Sequence, residues 1–310
     1  RRHLRLLVPA VAVLGLTLAA CSGSGDNTDG PIRIGVVNAA DEQWTIFTEK
    51  AAAEGIEVTI ENFSDYQLPN KALDEGELEA NQFQHLQFLA QFNVASDSDL
   101  VPFGATAVYP LGLYAVEYES VDDVPEGSEI AIPNDETNQA RALLVLQEAG
   151  LIALKDGGNS FSTTADVIAE DSKVTVTAVD AAQTAIALKS GSVAAAIINN
   201  DFVGDAGLTA EDAIFNDDPN SPASQPYINI WVASADDAEN EDFAKLVEIW
   251  HSPEVEAAAL AESGGTAVFV NNSAAELQAH VVGTDPARGL EVGIVRVHEE
   301  APGVAVDQRD

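Results

Sequence analysis

The chain has 310 residues, 46% of them hydrophobic and 21% charged, with 51 acids against 14 lysines and arginines and a formal charge of −37. That apolar content at that length fills one large or two medium cores, which excludes a chain disordered throughout. A field this negative repels phosphate backbones and anionic headgroups, so nucleic acid is set aside as a partner and the acid excess reads as solvated surface.

The first twenty residues differ from the rest. A basic start (Arg1, Arg2, Arg5) leads into an apolar stretch from Leu6 to Ala20. It falls short of the ~20 residues that span a bilayer, so residues 1–20 read as an exported protein's signal peptide. Leu18-Ala19-Ala20-Cys21 resembles the lipobox of bacterial lipoproteins, in which the cysteine takes a diacylglyceryl thioether and becomes the mature N-terminus. Cys21 is the single cysteine, so no internal disulfide can form. "SGSGDNTDG" continues residues 21–30 as a polar tether. A diacyl anchor on it places the domain at the extracytoplasmic face of a cell membrane.

"IRIGVV" (32–37) predicts a buried strand, "DEQWTIFTEKAAAEG" (41–55) a helix ending at Gly55, and "IEVTIENF" (56–63) a second strand. Strand, helix, strand in so few residues is a parallel βαβ unit. The pattern returns with a strand at 129–133, a helix carrying Arg141, a strand at 174–179, a helix at 181–191 and a strand at 193–199. Between and after these α/β regions lie the extended runs 100–118 and 225–234, as if the chain crosses into a second lobe and comes back. The expected fold is α/β and two-lobed, with a ligand cleft between the lobes. Residues 31–112 and 226–270 form lobe 1, completed by helices at 236–251 and 253–263, and residues 113–225 form lobe 2. Residues 271–310 read as an appended, partly disordered extension.

No HExxH, GxSxG, GxxxxGK[ST] or paired-cysteine spacing occurs, so neither catalytic residues nor a metal or cofactor site is indicated. His85 and His251 are the histidines of the α/β part, too few for a histidine-rich metal site. A hydrolase would need His85 as base with no serine motif beside it. Tyr66, Phe83 and His85 gather rings in one stretch (62–89), as ordinary core or as pocket walls. In "AIPNDETNQARALLVLQEAGLI", Asn134 or Asp135 can cap a helix on which Asn138 and Arg141 share a face. Arg141 can there grip a carboxylate in a bidentate fork, or pair with one of the many acids.

"DYQLPNKALDEGELEANQFQHLQFL", "AIPNDETNQARALLVLQEAGLIAL", "AAIINNDF…AGL" and "PYINIWVA" together resemble the methionine-binding lipoprotein family, the substrate-binding subunits of methionine ABC importers. The resemblance runs in register from about Ile32 to Gly265. "NAADEQW" and "ESGGTAVFV" fit it loosely, and nothing after Val270 has a counterpart. It implies a type II periplasmic-binding-protein fold closing on a free amino acid. Arg141 and Asn138 then take the carboxylate, Tyr66, Phe83 and His85 surround the side chain, and Asn199 and Asn229 take the polar groups of the amino acid. The implied partners are L-methionine or a related amino acid, a permease and its ATPase subunits, and a membrane through the lipid on Cys21, the protein itself being a monomer. The D-isomer, another amino acid or a short methionine-containing peptide remain alternative ligands.

The physics of a zwitterion agrees. Both charges need partners once out of water, Arg141 for the carboxylate and the side-chain carbonyls of Asn199 and Asn229 for the ammonium. A polarisable thioether gains by lying against aromatic rings.

Overall fold

The computed structural model of the chain describes residues 30–238 and 240–280, so the expected signal peptide (1–20), Cys21 and the expected tether up to residue 29, and residues 281–310 lie outside the described residues. The chain begins with β1 (Ile32–Val37), α1 (Glu42–Ala53), β2 (Val58–Phe63), α2 (Pro69–Asp74), β3 (Ala80–His85), α3 (Leu86–Ser96) and β4 (Val101–Ala105). The short β5 (Ala107–Val108) leads across to β6 (Gly112–Tyr114), β7 (Glu129–Pro133), α4 (Glu136–Glu148), β8 (Thr175–Val179), α5 (Ala181–Lys189), β9 (Ala195–Ile198) and β10 (Ala213–Asn216). It returns through β11 (Asn229–Ala233), α6 (Glu241–Trp250), α7 (Pro253–Glu262), β12 (Val268–Phe269) and α8 (Ala274–His280).

Two five-stranded sheets result, in the orders β2-β1-β3-β11-β4 and β10-β6-β9-β7-β8. Within each, the βαβ strands are parallel: β1 pairs with β2 and β3, and β7 with β8 and β9. The crossing strands run against them, β11 between β3 and β4, and β6 between β9 and β10. The first sheet is thus completed by a strand that arrives only after the second has been built, which makes the fold two-lobed with two crossings.

Each lobe has its own apolar core. In the first, the rings of Trp44, Phe47, Trp231 and Trp250 pack where α1 and α6 meet the sheet, with Phe47 stacked on Trp231 at 5.4 Å. In the second, Leu143 and Leu146 of α4 join Ile130 and Ile132 of β7 in one cluster. A third cluster joins Tyr66 and Phe83 of the first lobe to Phe202 and Ile198 of the second, so apolar contact continues across the cleft.

Three differences from the sequence reading have local causes. The helix expected from 236 starts at Glu241, because Asn240 caps it by accepting from the Asp242 amide at 3.0 Å. The extended run expected from 225 opens with a 3-10 turn at Pro222–Tyr227, and β11 begins at Asn229. The extension expected to begin at 271 is corrected for its first ten residues. Ser273 pairs with Gly104 as a β-bridge, and Leu277 of α8 is buried in the cluster that holds Leu100, Ala105 and Ile230. Gln278 donates to the Pro102 carbonyl at 3.1 Å.

Candidate functional site

One wall of the cleft rests on β3, which is buried along its whole length. Its register against β11 slips, Ile230 facing Gln84 and Trp231 facing Gln82, which leaves Phe83 as the extra residue of a bulge. Beneath this strand a set of amides closes on itself. Gln84 Nε2 donates to Asn81 Oδ1 at 2.9 Å and Asn70 Nδ2 to Gln84 Oε1 at 2.7 Å, while Asn81 Nδ2 reaches Asn70 Oδ1 at 2.9 Å. Such a satisfied network fixes the strand without spending a group on a ligand.

Rings stand on this wall. Tyr66 lies 6.0 Å from Phe83 and 5.1 Å from Phe202 of the other lobe, and Phe88 stands edge-on to Phe83 and to His85. His85 caps α3 by accepting from the Phe88 amide at Nδ1 (3.1 Å), so the neutral ring carries its proton on Nε2. Burial, together with the Arg141 charge, pushes His85 down to about 3, so it stays uncharged at neutral pH.

The facing wall is the start of α4. Asp135 is its N-cap, accepting from the Asn138 amide at 2.9 Å and from Asn138 Nδ2 at 3.0 and 3.1 Å. Asn138 Oδ1 accepts from Asn199 Nδ2 at 3.0 Å and lies 3.4 Å from His85 Nε2. Asn138 therefore joins the two lobes, with its amide group largely spent on the protein. The orientation this imposes leaves Asn199 Oδ1 buried and without a hydrogen-bond partner. Unmatched buried acceptors are costly and uncommon, so this one asks for a donor.

One turn further, Arg141 is buried, at 4% exposure. Its Nε donates to Asp217 Oδ2 at 2.7 Å and its Nη2 to Asp217 Oδ1 at 3.1 Å and the Tyr109 carbonyl at 2.9 Å. The guanidinium lies 4.1 Å from the centroid of the Tyr227 ring. Asp217 Oδ1 also accepts from the Leu111 amide at 2.8 Å. Arg141 is thus tied to both crossings, Tyr109 and Leu111 outbound, Asp217 and Tyr227 on the return. Of the alternatives left open for Arg141, the pairing with an acid is present: one edge of the fork serves Asp217, while Nη1 makes no hydrogen bond to any described residue.

Tyr66, Phe83, His85, Asn138, Arg141, Asn199 and Asn229 all line a single cavity between the lobes, about 40 Å³ in volume. Tyr66 donates to Asp201 Oδ2 at 2.7 Å and Asn38 Nδ2 to the Asp201 carbonyl at 2.6 Å, and both bonds cross the cleft. Burial above all keeps the Tyr66 phenol protonated. Asn38 itself has a left-handed φ of 61°, a conformation asparagine tolerates better than most residues.

Sequence reasoning did not single out Asn38, Tyr109, Asp201, Asp217 or Tyr227. Asp201 and Tyr227 sit inside stretches that had drawn attention ("AAIINNDF", "PYINIWVA"), whereas Asp217 has no local signal among 51 acids. His251 is elsewhere, bonded to Glu256 at 2.8 Å and to the Ala105 carbonyl at 3.0 Å. Among the described residues, no three His, Cys, Asp or Glu side chains are grouped so as to hold a metal ion.

With this geometry in place, comparison with known proteins places the chain. A profile described as NlpA lipoprotein matches residues 32–270. The chain belongs to the NlpA lipoprotein family. Among NlpA relatives, the D-methionine-binding lipoprotein MetQ of Salmonella typhi is 37% identical over 261 residues, covering 83% of this chain and 94% of that protein. The crystal structure of the substrate-binding protein of a methionine transporter from Streptococcus pneumoniae superposes with a TM-score of 0.71 at 34% identity, over 77% of this chain and 95% of that one. A nutrient-binding protein from Burkholderia cenocepacia, solved bound to methionine, gives a TM-score of 0.69 at 34% identity over 77% and 99% of the two chains. The chain shares the two-lobed type II fold with these structures. Among the described residues, no helix is long and apolar enough to cross a membrane.

Proposed function

We propose that this protein is the substrate-binding subunit of an ABC importer, that it binds free methionine in the cleft cavity, and that it hands the amino acid to a permease driven by ATPase subunits. The observation that carries the reading is the cavity itself, which brings a buried arginine, an unpartnered asparagine carbonyl and a wall of rings around one space. In this reading the ligand carboxylate approaches Arg141 at Nη1, the nitrogen that Asp217 and Tyr109 leave free. The ammonium donates to Asn199 Oδ1, with Asn229 beside it. The thioether lies against Tyr66 and Phe83, close to His85, and Asn138 orients Asn199.

In this reading the ligand enters when Asn38 and Tyr66 part from Asp201, and the lobes reclose around it. Lobe 1 then corresponds to residues 31–112 and 226–270 with α8 added to it, and lobe 2 to 113–225. The protein works as a monomer without catalysis of its own, held at the extracytoplasmic face of the membrane by lipid on Cys21. Relatives named for D-methionine make the D-isomer the first alternative ligand.

Mass spectrometry of the small molecule that copurifies with the protein, followed by titration with L- and D-methionine, tests this. Methionine in the extract and 1:1 binding are expected. A different copurifying metabolite, with no methionine binding by stripped protein, would refute it.

A further inference from the structure

Among the described residues, Asp201 is the one acid lining the cavity and Arg141 the one arginine or lysine. Its Oδ2 accepts from Tyr66, while Oδ1 takes no hydrogen bond from any described residue. Two residues before it, Asn199 presents the buried carbonyl that has no partner. The Asp217 carboxylate is already matched to Arg141 at bidentate distances, so among the described residues no carboxylate at the cavity other than Asp201 is free to balance a cation. Behind Asp201 lies a second cavity of about 30 Å³, lined by Asp41, Gln43 and Trp44, which also reaches Phe83 and Tyr109. The ionisable groups that face Asp201 are thus Tyr66, Tyr109 and Asp41 around it, and Arg141 and His85 across the cavity.

We propose that the Asp201 carboxylate is the counter-ion for the ligand's α-ammonium group and makes the site selective for amino acids whose amino group is free and charged. This rests on the cavity being the amino-acid site. The ammonium has three hydrogens: one goes to Asn199 Oδ1, one to Asp201 Oδ1, and the third is left for a polar neighbour such as Asn229. A ligand without the ammonium leaves both acceptors buried and unmatched, the situation in which a binding site discriminates most strongly. Tyr66, by holding Oδ2, turns Oδ1 toward this task and ties it to lobe closure.

The test is calorimetric titration of L-methionine, and of methylthiobutanoate, which is methionine without its amino group, into wild type, Asp201→Asn and Tyr66→Phe. Asp201→Asn keeps an oxygen for Tyr66, and its fold is checked by thermal unfolding. Wild type should prefer methionine by about 30-fold or more. Asp201→Asn should lose most of that preference, weakening methionine by about tenfold or more while the analogue changes by less than about threefold. Tyr66→Phe should weaken both ligands through closure, and methionine the more, because the Asp201 carboxylate loses the bond that orients it. Parallel weakening of both ligands in Asp201→Asn would reduce Asp201 to a latch and overturn the proposal, as would an unchanged preference. Absence of methionine binding by folded wild type would instead defeat the amino-acid reading, and this proposal with it.

Discussion

The two walls of the cleft each carry a cluster of buried amides, and they differ in how their hydrogen bonds end. Under β3, Asn70, Asn81 and Gln84 bond to one another. Across the cleft, Asp135, Asn138 and Asn199 also form a chain, but it ends on Asn199 Oδ1 with nothing to accept from. Residue type does not separate the two clusters, since both are asparagine-rich and both reach the cavity, one through Gln84 and the other through Asn138 and Asn199. What separates them is whether every donor and acceptor is accounted for. A closed cluster supports the fold, and in the proposed reading the open one at the cavity takes the ligand.

The largest effect that bears on this contrast is expected at Arg141, which belongs to both categories. Arg141→Ala leaves the part-buried Asp217 without its cation and empties a buried site, and should cost about 3–5 kcal/mol of stability. It should also weaken methionine by about 30-fold or more. Denaturant unfolding and calorimetry read the two losses separately.

Next comes the C-terminal end of the described chain, which sits with the closed, purely structural parts. A protein ending at residue 270 exposes the pocket of Leu277 and should lose about 2–5 kcal/mol, while methionine affinity of the folded fraction holds. One ending at residue 280 should keep its unfolding midpoint.

Asn81→Ala then probes the closed cluster. It takes the acceptor from one Gln84 Nε2 hydrogen, the other still going to Asn70 Oδ1, and should cost about 1–3 kcal/mol with affinity changed by less than about twofold. Asn199→Ala probes the open one, with the opposite signature of a small stability change and about tenfold weaker methionine. If both variants lose stability alone, the contrast between the walls fails.

The smallest effect is in pH dependence. Burial and the Arg141 charge hold His85 at about 3 against its ordinary 6.5, so the stability from keeping it neutral is whole above about 6.5 and is lost as pH falls toward 3. Burial lifts Asp201 to about 6 from 3.8, although the Tyr66 bond opposes the shift, so its contribution is whole below 3.8 and lost as pH rises through 6. The two oppose each other between about 3.8 and 6, and Asp201→Asn should therefore make the stability loss on going from about pH 6 to pH 5 steeper. Urea midpoints across that range measure it, and a shallower loss would reverse the assignment.

Much of this was legible in the sequence for local reasons. The βαβ units announced themselves by apolar strands and amphipathic helices, and the Asp135 cap and Arg141 lie within one continuous motif. What stayed hidden was non-local. Asp217 meets Arg141 across 76 positions, and in so acidic a chain no acid stands out. The bulge at Phe83 depends on the register against β11, which strand periodicity does not specify. The elements α2, β3 and α3 were obscured by a stretch rich in polar residues, because those residues form the buried amide cluster. The helix α8 did leave a signal: Ser273 and Glu276 have capping-box spacing, and Ser273 Oγ donates to Glu276 at 2.9 Å.

The central claim is that the planar fork of Arg141 holds Asp217 on one edge and leaves Nη1 for a ligand carboxylate. Titration of L-methionine into wild type and Arg141→Lys addresses it most directly, because lysine keeps a charge for Asp217 and so preserves the fold while losing the fork. The account predicts 1:1 binding in wild type and affinity weaker by about tenfold or more in the lysine variant, with Tm held within a few degrees. Equal affinities in the two proteins would contradict it.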